Sequence, residues 1–107
     1  MDQKWLIMKW KYNYDKEGTW FDEEEGEEQY ELFKGASYKL PHIREKCLEI
    51  RSVTEEDGII EAEIYVDYKT YTVRNDKGPV TAHASYSYSV AGDSVHQSLS
   101  LSLTILS

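Results

Sequence analysis

The chain has 107 residues, one cysteine and a formal charge of −8, with 40% apolar and 13% aromatic residues. That much apolar material excludes a disordered chain, and the length suits one domain, residues 1–107, of the common ~100–150-residue size. The acid surplus excludes nucleic-acid binding through phosphates, which needs clustered Lys and Arg.

A single thiol, Cys47, allows no internal disulfide. Secreted domains this small lean on such staples, so the expected compartment is the reducing cytoplasm. Trp5-Leu6-Ile7-Met8 is shorter than a signal-peptide core of about 7–15 residues and far shorter than a membrane span. Neither a leader nor membrane association is expected.

Period-two alternation dominates the chain and predicts an all-β fold. Residues 4–14 read as a strand with Leu6, Met8, Trp10, Tyr12 and Tyr14 on one face, ended by a turn at Asp15-Lys16-Glu17-Gly18. The acids then peak in Asp22-Glu23-Glu24-Glu25-Gly26-Glu27-Glu28, read as a solvated, mobile loop. A strand through Tyr30 and Leu32 follows, then a short one at Ser37–Leu40 ended by Pro41, with one helical turn at most over Leu40–Arg44.

From residue 45 the pattern predicts a four-stranded antiparallel meander. Leu48 and Ile50 precede a turn at Thr54–Gly58, and Ile60, Ala62, Ile64, Val66 and Tyr68 form the next apolar face. The phase then shifts to Tyr71 and Val73, which predicts a β-bulge or bend near Lys69-Thr70. Asn75–Pro79 is a turn cluster, followed by residues 80–90 and 95–105, each apolar on one face and Ser/Thr-rich on the other. A type II′ turn with Gly92 first and Asp93 second would pair Val90 with Val95 and Ala84 with Leu101, apolar against apolar. The whole is expected to be an antiparallel meander of six to seven strands forming a small barrel or a two-sheet sandwich.

Candidate chemistry is sparse. The type II′ register sets His83 and His96 six residues apart, about 20 Å along the sheet, too far to share a metal. Ser89, His96 and Asp93 gather at the hairpin end, but Ser and Asp are common there for turn reasons, and nothing local supplies an oxyanion hole. Consecutive acids in Asp22–Glu28 diverge, unlike an ordered calcium loop. Cys47 has no second cysteine or neighbouring histidine to activate it. Neither catalysis, a metal nor a cofactor is expected.

Two features remain. Trp5, Trp20, Phe21, Tyr65 and Tyr71 occupy positions the alternation does not bury, and exposed aromatics favour recognition; the last four are taken as binding candidates. Together with Asp22, Glu23, Glu24, Glu25, Glu27 and Glu28 they form the candidate binding set for a basic protein partner. The expected function is a non-enzymatic protein-binding module, an acidic inhibitor or immunity-type antagonist, with nucleic-acid mimicry as the extreme form. The alternative is a lipocalin-like barrel binding a small molecule in a lumen lined by Tyr12, Tyr14, Tyr86 and Tyr88. The uncharged Ser/Thr face of residues 81–104 predicts cover, by the N-terminal strands or by a second copy in a homodimer.

Overall fold

A computed structural model describes residues 3–16 and 20–106, with only the backbone of Trp20 and Phe21. Among these the chain forms eight strands and no helix: β1 (Trp5–Lys16), β2 (Trp20–Glu31), β3 (Ser37–Lys39), β4 (Cys47–Glu56), β5 (Ile59–Val66), β6 (Lys69–Arg74), β7 (Val80–Val90) and β8 (Asp93–Leu106). They make two four-stranded antiparallel sheets, ordered β2-β1-β8-β7 and β3-β4-β5-β6. The sheets stack as a sandwich and do not close into a barrel. Among the described residues the lumen of the lipocalin-like alternative does not form, and Tyr12, Tyr14, Tyr86 and Tyr88 belong to one inner sheet face. Nor does one meander run from residue 45 onward, because the chain changes sheets between Arg74 and Val80.

Alternation places the core as expected. Leu6, Met8, Leu99, Leu101 and Leu103 of the first sheet meet Leu48, Ile50, Ile60, Ile64 and Val66 of the second, all at 1% exposure or less. Leu32, Ala36, Leu40 and Ile43, from the segments flanking β3, complete the cluster.

Three hairpins share one turn chemistry. Both central residues have positive φ at Asp57-Gly58 (54° and 80°), Asp67-Tyr68 (48° and 70°) and Ala91-Gly92 (52° and 85°). Two such residues define a type I′ turn, whose twist matches that of the flanking strands. Asp67-Tyr68 replaces the expected bulge near Lys69-Thr70; the ladder irregularity lies instead at Arg51, between Ile50 and Ser52. The Ala91-Gly92 turn pairs Val90 with Asp93 and Ala84 with Leu99, so the expected β7–β8 register is off by two residues. A two-residue shift leaves every side chain on its face, which is why the apolar pattern could not detect it.

This turn is directly testable. Ala91 occupies a left-handed conformation that costs a residue with a Cβ about 1–2 kcal/mol, and Asn-Gly is the favoured type I′ pair. Ala91→Asn should therefore stabilise the protein by up to about 1 kcal/mol. In the Gly92-Asp93 alternative Ala91 is an ordinary strand residue, and the same change would be neutral or harmful in denaturant unfolding.

The first sheet is the longer one, and the molecule extends 54 × 21 × 20 Å. The Asp67-Tyr68 turn ends the second sheet level with Ser85, whose N–H donates to Asp67 Oδ2 at 3.1 Å. Lys46 pairs with the same carboxylate. Beyond that level β7 and β8 continue without the second sheet against them, and Tyr88 and Val90 are 37% and 46% exposed.

Candidate functional site

The acid run is an edge strand, not a loop. β2 carries seven carboxylates and no base in twelve residues, and it pairs with β1 along its whole length. Strand geometry sorts the acids into two rows, because successive side chains alternate faces. Glu23, Glu25 and Glu27 share the outer face and stand opposite Asn13, Lys11 and Lys9. Asp22, Glu24 and Glu28 share the inner face and stand opposite Tyr14, Tyr12 and Met8. At a rise of about 3.4 Å per residue, β2 is a nearly continuous charge ladder along one side of the sandwich.

Two contacts hold this ladder in place. On the inner face Gly26 stands opposite Trp10, and a Cβ at Gly26 would lie 2.6 Å from Trp10 Cζ2. The missing side chain is what lets the indole lie across the strand, the usual reason for glycine within a strand. Farther along, His42 Nε2 lies 2.8 Å from Glu24 Oε2. The His42 ring stacks on Tyr12 at 4.5 Å and meets Trp10 edge-on at 5.1 Å. His42 has a φ of 62°, a conformation uncommon for residues other than glycine. The segment between β3 and β4 thus turns back to clasp the acidic strand.

Behind the ladder, tyrosines pack the inner face. The Gln97 amide donates to the buried Tyr12 hydroxyl. Burial, then the neighbouring Glu28 carboxylate, pushes the Tyr30 phenol up to about 12, and burial also raises Tyr12. Tyr30 stacks on Tyr38 at 4.5 Å, and the Tyr38 hydroxyl donates to the Glu31 carbonyl at 2.6 Å. These tyrosines stay neutral and brace β2 against β3. On the outer face, Lys9, Lys11, Glu25, Glu27, Ser100 and Ser102 border an open trough of about 620 Å³.

Of the expected binding set, the six acids are brought together on β2. Trp20 and Phe21 begin the same strand, their side chains lying outside the described residues. Tyr65 and Tyr71 do not join them. Both lie in the second sheet, where Tyr65 stacks under the Arg51 guanidinium at 3.9 Å and Tyr71 packs against the core. Sequence reasoning missed His42, Trp10, Lys9 and Lys11, which position or border the ladder. The signal available was the lone Gly26 within the acids.

The Ser89–His96–Asp93 grouping does not form. His96 stands opposite Ser87, whose hydroxyl is 2.7 Å from His96 Nδ1, while Asp93 lies 3.7 Å from Lys16 Nζ. Both Ser87 and His96 are exposed on the open outer face. His83 stands four residues from Ser87, about 13 Å from the His96 rung. No metal-ligating cluster occurs among the described residues. The Ser/Thr face is not covered by the N-terminal strands, because β1 and β2 lie beside β8 in the same sheet. No helix among the described residues is long and apolar enough to cross a membrane. Comparison with known proteins finds no matching family model, curated protein or solved structure.

Proposed function

We propose that this protein is a non-enzymatic binding module whose β2 edge docks a basic protein, in the manner of an acidic inhibitor or immunity-type antagonist. One observation carries the reading. The acids Asp22–Glu28 form a rung-by-rung strand at a sheet edge, with Glu23, Glu24, Glu25, Glu27 and Glu28 exposed. A fixed row of charge pays less ordering entropy on binding than a loop, and it steers a basic partner from a distance. Exposed charge also deters this edge from pairing with another strand, so the partner is expected to meet carboxylates rather than the backbone.

Replacing Glu23, Glu24, Glu25, Glu27 and Glu28 together by Gln should change stability by no more than about 1 kcal/mol. Lys9 and Lys11, opposite Glu27 and Glu25, lie on the exposed outer face, where such attraction contributes little. Gln at position 24 still offers His42 an acceptor, and relief of like-charge repulsion offsets what is lost. Affinity capture from native lysate, followed by mass spectrometry, tests the function. The native chain should retain a basic protein, released by salt and missing from the capture on the five-Gln variant. Identical captures by the two chains would contradict the reading.

A further inference from the structure

The four sheet edges are treated unequally. β2 carries seven acids, β3 contains Lys39, and β6 begins with Lys69 and ends with Arg74. β7, eleven residues long, has no Asp, Glu, Lys or Arg. Charges on an edge strand normally prevent it from pairing with another chain, and β7 lacks that protection.

Its hydrogen-bonding side can be read directly. Ser85 donates its N–H away from β8, to Asp67. Backbone groups alternate sides along a strand, so those of Thr81, His83, Ser87 and Ser89 also point to the open edge. Asp67 blocks the strand at Ser85 and divides it. Past that point lies Tyr86-Ser87-Tyr88-Ser89-Val90, in the overhang beyond the second sheet, with Tyr88 and Val90 exposed.

We propose that this segment pairs antiparallel with the same segment of a second copy, joining two first sheets into one eight-stranded sheet. The two-fold axis passes beside Tyr88. Ser87 then faces Ser89 of the second copy, and the two strands exchange four backbone hydrogen bonds. On the inner face Tyr88 meets its own counterpart and Tyr86 meets Val90, the aromatic and aromatic–β-branched pairs that stabilise strand pairing. A two-fold axis at Ser87 would instead need the Ser85 N–H that Asp67 already occupies. Centring on Tyr88 leaves this contact intact and keeps the pairing within β7, whereas an axis at Ser89 would run Ser87 onto the turn residue Ala91.

Electrostatics allows it despite the charge of −8. The acidic β2 lies three strand spacings from β7, about 14 Å, which exceeds the screening length of about 8 Å at physiological salt. Both acidic edges stay free at the outside of the dimer. Five residues per copy make a small interface, so association should be weak and concentration-dependent. Because the overlap is confined to the overhanging ends, the dimer is an elongated particle roughly 90 Å long.

Sedimentation and small-angle scattering of the full chain, over roughly 10 μM to 1 mM, test this. The native chain should pass from monomer to the elongated dimer. Ser87→Pro should stay monomeric with its fold retained, because proline is tolerated where the N–H faces away from the sheet. If Ser87→Pro unfolds, Tyr88→Lys serves instead, since two ammonium groups across the axis repel. Ser100→Lys, on the outer face, should dimerise as the native chain does. A native chain that stays monomeric throughout would overturn the proposal. So would a dimer that persists in the edge variants, or one that Ser100→Lys abolishes, which would place the contact on the Ser/Thr face.

Discussion

Leu101→Ala should destabilise the protein by about 2–5 kcal/mol, through lost burial and the cavity left behind. Leu101 is 1% exposed and stands at the centre of the first sheet, opposite Trp10 of β1 on one side and Ala82 of β7 on the other. With alanine already at position 82, no neighbouring side chain there is large enough to fill the space. Ser100→Ala, one residue away, should cost under about 0.5 kcal/mol, because its side chain is on the outer face. Denaturant unfolding of both variants checks the pair. Equal losses would mean that the inner and outer faces of β8 are wrongly assigned.

Gly26→Val should cost about 1–3 kcal/mol, because a side chain there must displace the Trp10 indole. Simple rotation offers little escape, since the ring is also met by His42. The expected signature is non-additivity. Trp10→Ala removes the obstruction, so adding Gly26→Val to it should cost much less than in the native chain, a coupling of about 0.5–3 kcal/mol. Additive losses would show that indole and glycine are not in contact, and that β2 is not held against β1 in this register.

The two sites differ in how legible they were from sequence. Leu99, Leu101 and Leu103 alternate with serines, and burial of one sheet face writes that pattern directly into the sequence. The same pattern is blind to a slip of two residues. Only turn chemistry could distinguish Ala91-Gly92 from Gly92-Asp93, and alanine at positive φ is not an obvious choice. Tyr68 concealed the β5–β6 turn for the same reason, a bulky residue in a conformation that glycine or Asn usually occupies. β2 was hidden more deeply. Acids have low strand propensity, and an edge strand whose faces are both largely exposed shows no apolar alternation. It forms because β1 offers a complete ladder and because Trp10, His42 and Tyr38 clasp it, contacts made by residues distant in sequence.

The pairing of the acid run as an edge strand is tested most sharply by native-state amide exchange. The Leu32 N–H donates to the Lys4 carbonyl at 2.8 Å. Continuing this antiparallel ladder turns the amides of Glu24, Gly26, Glu28 and Tyr30 toward β1, and those of Glu23, Glu25, Glu27 and Gln29 toward solvent. Protection should alternate along Glu23–Tyr30, slow at even positions and fast at odd ones. Uniformly fast exchange across the run would show a solvated loop and contradict the pairing.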